Sequence, residues 1–197
     1  MNIIFATGNR HKLAEVQEIL PDCIKLSIPA DHGLTEEIPE TGETIEANSL
    51  QKASYIWERL HIPCFADDTG LFVDALDGAP GVYSARYAGL DADFDSNIAK
   101  LLRELEGVEP SRRGATFRCA VTYIDENGVK VFQGRCPGAI TSVRSGSHGF
   151  GYDPVFRPEG YAETFAELDG DTKNALSHRG EAIRALGEFL KAAGTSR

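Results

Sequence analysis

The sequence predicts an α/β protein, because short apolar runs typical of buried strands alternate with segments in which apolar residues recur at helical spacing. Residues 3–6 form the first apolar run, and apolar positions from Leu13 to Leu20 lie on one face of a helix. Two alternating segments flank Asn127-Gly128, which is a strong signal for a β-hairpin.

Composition limits the protein class. A chain of 197 residues with ordinary hydrophobic content fits one globular domain over residues 1–197, long enough for two lobes. No apolar run approaches the roughly 18 residues that span a membrane, and the amino terminus lacks the pattern of a signal peptide. We therefore expect a cytoplasmic protein without a membrane partner. The net charge of −10 argues against broad nucleic-acid binding.

The remaining elements follow in order along the chain. The first helix ends at Pro21, a short strand and loop occupy residues 22–35, and Thr44 caps a helix over residues 45–60. Further on we expect a helix near 95–105, hairpin strands at 116–124 and 129–135, a strand at 155–156 and a last helix ending near 193. The four cysteines form no close pair, so we expect reduced, mostly buried thiols rather than a zinc site.

The segment from Cys64 to Val73 holds two adjacent carboxylates, Asp67 and Asp68, between two short apolar runs. We expect them at the end of a buried strand, where an unpaired carboxylate would be costly in a core. Two interpretations remain open on these residues alone. One is a solvated turn with an Asx-type cap, and the other is a site for a divalent cation such as Mg²⁺.

The first strand runs directly into a polar loop and then a helix. This arrangement aims backbone N–H groups and a helix amino terminus at an anion, although the Walker pattern is missing. A helix cap with surface cations is the alternative. The loop residues are Thr7, Gly8, Asn9, Arg10, His11 and Lys12.

Three further positions are candidates for ligand contacts. Lys52 lies four residues after Asn48 on the same helix face, and it either extends to solvent or points inward at phosphate. Phe150 lies between glycines, where its ring could stack on a flat heterocycle or plug the core. His178 and Arg179 fall in the first turn of the last helix, where cations oppose the helix dipole unless they face a ligand.

Six segments occur in a fixed order: ATGNRHK at 6–12, PETGETIEANSLQKA at 39–53, FADDTGL at 65–71, GAPGVYSARYAG at 78–89, SHGFGYDPVF at 147–156 and KNALSHRG at 173–180. Together they resemble the pyrophosphatases of noncanonical purine nucleoside triphosphates, the dITP/XTP pyrophosphatase family that includes the inosine triphosphatases. The resemblance runs from residue 3 to about residue 190.

This resemblance implies an elongated mixed β-sheet with flanking helices, forming two lobes with a central nucleotide cleft, and a homodimer. It also implies hydrolysis of ITP, dITP or XTP to the nucleoside monophosphate and pyrophosphate with Mg²⁺ as cofactor. Glu40 and Asp68 would hold the metal, and Asp68 would also accept the proton of the attacking water. The substrate-binding residues implied are Thr7, Gly8, Asn9, Arg10, His11, Lys12, Lys52, Thr69, Phe150, Gly151, Tyr152, Asp153, Lys173, His178 and Arg179.

The chain departs from the family pattern at three positions. Thr69 stands where serine is frequent, and His148 stands where glycine is common. Pro39 precedes Glu40 where some members have a second acidic residue, which makes Glu36, Glu37 and Glu43 rival metal ligands. Two alternative functions remain open at this point: a pyrophosphatase acting on other modified or ordinary nucleotides, and a nucleotide-binding protein without catalysis.

Overall fold

The computed structural model describes residues 1–194. Within this range the chain forms a seven-stranded mixed sheet and five α-helices. The strands are β1 (Asn2–Phe5), β2 (Lys25–Ser27), β3 (Cys64–Val73), β4 (Pro80–Gly81), β5 (Gly114–Asp125), β6 (Gly128–Ile140) and β7 (Phe156–Pro158). The helices are α1 (Arg10–Ile19), α2 (Ile45–Leu60), α3 (Phe94–Glu104), α4 (Gly170–Leu176) and α5 (His178–Gly194).

The sheet contains both parallel and antiparallel pairs. Its strand order is β2-β1-β3-β5-β6-β7, and β4 pairs with β3. β1 is parallel to β2 and β3, whereas β4 is antiparallel to β3 and β7 is antiparallel to β6. The predicted α/β class and mixed sheet are therefore confirmed. None of the helices in residues 1–194 has the length and apolar character needed to cross a membrane.

The chain divides into two compact units, which we call the first and second units. Within the described residues, the first unit comprises residues 1–68, 119–134 and 179–194, and the second comprises residues 69–118 and 135–178. The strands β3, β5 and β6 each contribute residues to both units.

In the first unit, alternate residues of β1 and β3 enter two different hydrophobic clusters. Phe5 and Phe65 are register partners, and their rings stack at 4.5 Å in the cluster packed against α1 and α5. Their neighbours Ile4 and Cys64 enter the cluster packed against α2. This division follows from the period of a strand, in which successive side chains point to opposite faces. Helices therefore cover both faces of this part of the sheet.

The second unit has a core of its own. Leu71, Phe117, Phe156 and Phe165 pack there with the buried face of α3. Arg113 is also buried, and its guanidinium donates to the carbonyl oxygens of residues 105, 108 and 141. These bonds tie the end of α3 to β5 and to the chain after β6.

The segment around the paired carboxylates differs from the expectation. β3 is one continuous strand of ten residues, so Asp67 and Asp68 lie in its middle and not at its end. The prediction of two short runs was wrong because Gly70 was read as a strand boundary. A Cβ atom on Gly70 would lie 2.6 Å from the carbonyl oxygen of Gly81 in β4, so glycine is needed there for the close approach of two strands.

Most other elements match the prediction within a few residues. Thr44 caps α2 by accepting a hydrogen bond from the Ala47 amide at 3.1 Å, as predicted. The hairpin strands β5 and β6 are longer than predicted and meet at the turn residues Glu126 and Asn127. The short helix α4 was missed, because its seven residues are too few for a clear helical period.

The cysteines agree with the expectation of free thiols. Cys64, Cys119 and Cys136 are buried, Cys23 is exposed, and all four are unbridged.

Candidate active site

Asp67 and Asp68 are adjacent on β3, so their side chains project from opposite faces of the strand. Both are buried, with exposed fractions of 1% and 8%. Two ionised carboxylates in such positions require nearby cations or hydrogen-bond donors. Each has its own set of partners, and all of these partners belong to the first unit.

Asp67 is paired with two cationic side chains. Lys12 Nζ lies 3.0 Å from Asp67 Oδ1, and Arg179 Nε lies 3.2 Å from Asp67 Oδ2. Arg179 extends further to Glu15, with 2.5 Å between Nη1 and Oε2. Burial opposes ionisation of Asp67, but the charges of Lys12 and Arg179 outweigh it and hold the pKa of Asp67 well below its usual range. Asp67 is therefore ionised in the folded chain at neutral pH.

Asp68 has a different environment. Its Oδ2 accepts a hydrogen bond from Asn48 Nδ2 at 3.0 Å, and its Oδ1 lies 3.8 Å from Lys52 Nζ. Burial raises the pKa of Asp68 above its ordinary value, while Lys52, Lys12 and the Asn48 hydrogen bond act in the opposite direction. A carboxylate with a raised pKa accepts a proton more readily, which is the property that a general base requires.

Lys52 points inward, the second of the two orientations considered from the sequence. It is only 5% exposed, and its ammonium contacts Glu40 Oε1 while lying close to Asp68. Burial opposes its charge, but Asp67, Asp68 and Glu40 outweigh that effect and raise its pKa. One positive charge therefore lies among three carboxylates.

Asn48 links these groups, and sequence reasoning did not assign it a role in the site. It is completely buried on α2. While its Nδ2 donates to Asp68, its Oδ1 accepts from the Gly42 amide at 2.7 Å, and Gly42 belongs to the same loop as Glu40. An asparagine on an otherwise apolar helix face was the available signal. Glu15, the second carboxylate partner of Arg179, was also missed, because nothing in the sequence distinguishes it from the other polar residues of α1.

The amino-terminal loop forms a helix cap. Asn9 Oδ1 accepts hydrogen bonds from the amides of His11 and Lys12 at 2.9 and 3.2 Å, and Thr7 Oγ1 accepts from the Asn9 amide at 3.0 Å. Two amides that were expected to face an anion are thus bonded to Asn9. Lys12 is half-buried and turned to Asp67, whereas Gly8, Arg10 and His11 are exposed.

Glu40 and Asp68 are the predicted metal ligands, and their chemistry fits a divalent cation. Both present hard carboxylate oxygens, and the structure already has a positive charge, the Lys52 ammonium, next to both of them. Residues 1–194 contain no group of three or more histidine, cysteine or acidic side chains suited to a metal. Two carboxylates nevertheless suffice for a cation such as Mg²⁺, which usually takes its other ligands from water and substrate phosphates.

In the second unit, Asp153 fixes the turn that carries Phe150. Its Oδ2 accepts from the Phe150 amide at 2.8 Å and from Lys173 Nζ at 2.9 Å. Gly149 has a φ of +74°, and a Cβ atom there would lie 2.1 Å from Asp153 Oδ2. Lys173 Nζ also lies 5.3 Å from the centre of the Phe150 ring, within the range of a cation–π contact. The ring itself is half-buried.

Four other predicted substrate contacts in the second unit are buried or half-buried. Tyr152 is 5% exposed and donates from its hydroxyl to the Ser84 carbonyl at 2.8 Å, and burial raises the pKa of this hydroxyl. His178 is 4% exposed and stacks on Phe117 with 4.7 Å between ring centres. Thr69 and Gly151 are half-buried. Tyr152 and His178 are thus packed into the core of this unit.

Comparison with known proteins identifies the chain's relatives. The model of the Ham1 family matches residues 3–189. The chain belongs to the Ham1 family. This confirms the resemblance found in the sequence motifs.

Relatives and solved structures match over nearly the full length. The dITP/XTP pyrophosphatase of Porphyromonas gingivalis is 49% identical over 188 residues, covering 95% of this chain and 96% of that protein. The dITP/XTP pyrophosphatase of Bacillus subtilis is 44% identical, with 96% of both chains covered. A Ham1 protein structure from Coxiella burnetii superposes with a TM-score of 0.89 at 39% identity, covering 98% of this chain and 99% of that chain.

Proposed function

We propose that this chain hydrolyses noncanonical purine nucleoside triphosphates, namely dITP, ITP and XTP, to the nucleoside monophosphate and pyrophosphate. Its membership of the Ham1 family and its full-length relatives named dITP/XTP pyrophosphatases support this reaction. The observation that carries the proposal is the cluster in the first unit, where the Lys52 ammonium contacts Glu40 and lies 3.8 Å from Asp68. Such a cluster combines cation ligands, a base and a phosphate-binding charge.

In this proposal Asp68 is the general base. A water oxygen forms a bond to the α-phosphorus of the substrate, the bond from that phosphorus to the pyrophosphate oxygen breaks, and the water proton passes to an Asp68 oxygen. The raised pKa of Asp68 supports this role, and Asn48 holds one of its two oxygens in a fixed direction. Removal of a general base typically slows a reaction by 10²–10⁴-fold.

The triphosphate is assigned to the positive groups of the first unit. Lys52 and Lys12 supply charge, and the exposed loop residues Gly8, Arg10 and His11 are open to a ligand. Thr7 and Asn9 shape this loop through their hydrogen bonds. We propose Mg²⁺ as the cation held by Glu40 and Asp68; when bound it would neutralise phosphate charge during the displacement.

The purine is assigned to the base-pocket residues that the family resemblance implies, among them Lys173 and Arg179. Hypoxanthine and xanthine carry a 6-oxo group, which accepts a hydrogen bond where the amine of adenine would donate. A cationic donor such as Lys173 or Arg179 would donate a hydrogen bond to the oxo group, but it would meet another donor in the amine of adenine. A buried donor left without an acceptor is costly, so this mismatch gives strong selectivity. Gly151, Tyr152, Asp153 and His178 would shape the pocket, with Thr69 also at the substrate.

Phe150 provides a direct test of base stacking. Replacing it with alanine should raise KM for dITP by about 5-fold to 150-fold, because stacking of a base on an aromatic ring contributes about 1–3 kcal/mol. The value of kcat should change much less, since the ring takes no part in the proton transfer assigned to Asp68. Tyr161→Ala removes an exposed aromatic ring from the same unit and serves as the control. An unchanged KM in Phe150→Ala would remove this residue from the binding site.

The defining experiment is release of pyrophosphate from dITP and from dATP, each with and without Mg²⁺. We expect turnover of dITP to depend on Mg²⁺ and to exceed that of dATP by at least about 10²-fold in kcat/KM, the scale of discrimination by hydrogen-bond mismatch. Equal turnover of dITP, dATP and dGTP would contradict the substrate class. Binding of dITP without pyrophosphate release in Mg²⁺ would contradict catalysis.

The family resemblance also leads us to propose a homodimer that acts in the cytoplasm. Light scattering coupled to size-exclusion chromatography tests the first part, with twice the chain mass of 21.4 kDa as the expected result. Fractionation of the source cells tests the second part.

A further inference from the structure

We infer that Lys52 occupies, in the nucleotide-free protein, the place between Glu40 and Asp68 that a divalent cation takes during the reaction. Cation binding then requires the Lys52 ammonium to leave Glu40 for a phosphate oxygen of the substrate. The cation and the nucleotide therefore bind cooperatively, and the cation alone binds weakly. This inference rests on the metal and phosphate roles proposed above and adds a second role to Lys52.

The contacts of Lys52 carry the inference. Its ammonium contacts Glu40 Oε1 and lies 3.8 Å from Asp68 Oδ1, so it lies beside both predicted metal ligands. A divalent cation bound to the same two oxygens would lie within a few ångströms of this ammonium. Two like charges at such a separation repel strongly at the effective dielectric of a protein site. The two cations cannot share the position.

The surroundings of the site indicate that Lys52 is the group that moves when a cation binds. Asp67 already has two cationic partners, because Lys12 and Arg179 bind its oxygens. Asp68 is held by Asn48, and the Gly42 amide holds the loop of Glu40 to the same Asn48 side chain. Asn48 therefore restrains Asp68 directly and the Glu40 loop through its backbone at Gly42, whereas a lysine carries its charge on a flexible four-carbon stem with three donors.

The substrate offers the displaced ammonium a new partner. Triphosphate oxygens are strong acceptors, and they also complete the coordination that two carboxylates leave open. When the nucleotide is present, its phosphate oxygens contact both the cation and the Lys52 ammonium. This attraction offsets the repulsion between the two positive charges. Thermodynamic reciprocity then requires the nucleotide to strengthen cation binding by the factor with which the cation strengthens nucleotide binding.

The test measures binding of Mn²⁺ to the nucleotide-free protein, by the loss of the free-ion electron paramagnetic resonance signal. Lys52→Met removes the competing charge and should raise the affinity for Mn²⁺ by at least about 10-fold, within the usual range of coupling between sites. Lys52→Arg keeps the charge and should leave the affinity close to that of the unchanged protein.

A matched control separates local occupancy from the loss of any positive charge. Lys12→Met removes the same charge from the same unit, but the contact that it loses is to Asp67. Its affinity for Mn²⁺ should rise by less than about 3-fold, because the Lys12 ammonium is paired with Asp67 at 3.0 Å, whereas the Lys52 ammonium contacts Glu40. Equal affinity in Lys52→Met and the unchanged protein would overturn the inference, as would equal rises in both methionine variants.

Thermal unfolding first establishes that the Lys52 variants are folded, and a structure of the unchanged protein with Mn²⁺ and a nonhydrolysable dITP analogue provides a second test. We expect Lys52 Nζ on a phosphate oxygen in that complex, with Glu40 and Asp68 on the cation. An ammonium still in contact with Glu40 beside the bound cation would overturn the inference. Neither measurement involves turnover, so dITP hydrolysis by the unchanged protein tests the proposed function separately.

Discussion

Replacing Asp68 with asparagine should lower kcat for dITP by at least about 10²-fold, the lower range for loss of a general base. Asparagine has nearly the same shape and can still accept the hydrogen bond that Asn48 donates. It cannot accept a proton from water. The structural change is therefore small, and the chemical change removes the function proposed for this side chain. Steady-state kinetics measure the loss, and circular dichroism checks the fold.

Asp22→Asn is a suitable control for this variant, because Asp22 is an exposed carboxylate of the same unit without a role in the proposed site. Its kcat should match that of the unchanged protein. Near-native activity in Asp68→Asn would contradict the proposed base and would direct attention to Glu40 or Asp67 instead.

Replacing Asp67 with asparagine should instead destabilise the fold, by about 3 kcal/mol or more, as is typical when one partner of a buried ion pair is removed. Asp67 is 1% exposed, and the change would leave Lys12 and the nearly buried Arg179 without their shared anion. Glu15 would remain as a partner of Arg179 and would limit the loss. Urea unfolding followed by circular dichroism measures the difference.

The loss of unfolding free energy in Asp67→Asn should become smaller at low pH. The pKa of Asp67 is lower in the folded chain than in the unfolded chain, because Lys12 and Arg179 outweigh its burial. Its ionisation therefore stabilises the fold fully above the unfolded-state pKa of about 3.9, and this contribution decreases as the pH falls below that value. The difference in unfolding free energy between the unchanged protein and Asp67→Asn should be constant from about pH 6 to 8 and should shrink below about pH 4.

An exposed ion pair gives the comparison for this effect. Asp95 pairs with Arg144 at 2.6 Å, but 73% and 47% of these side chains are exposed. Asp95→Asn should therefore change the free energy of unfolding far less than Asp67→Asn. Equal effects of the two substitutions, or an Asp67→Asn effect that grows toward low pH, would contradict the structural role of Asp67.

The elements of this fold depend on local patterns, and they could therefore be predicted from the sequence. Pro21 lies just beyond the end of α1, Thr44 caps α2, and Asn127-Gly128 marks the hairpin between β5 and β6. These signals act through residues only a few positions apart. The order of the six motifs likewise indicated the family, because it requires no knowledge of which residues meet in space.

The pairing of charges was decided only by the tertiary structure. Asp67 and Asp68 are neighbours in the sequence, yet the strand period turns them to opposite faces, where one meets Lys12 and Arg179 and the other meets Asn48 and Lys52. Pairing with two cations lowers the pKa of Asp67, whereas burial raises the pKa of Asp68 against the opposing effects of Lys52 and Asn48.

Asn48 shows why such roles escape sequence reasoning. Its amide joins Asp68, 20 residues away, to the Gly42 amide, and neither partner is specified by a local pattern. By itself the sequence determined the strands, the helices, the family and the set of candidate residues, because periodicity and motif order depend only on the order of residues in the chain. Which carboxylate contacts which cation depends on distances between separate elements, and only packing sets those distances.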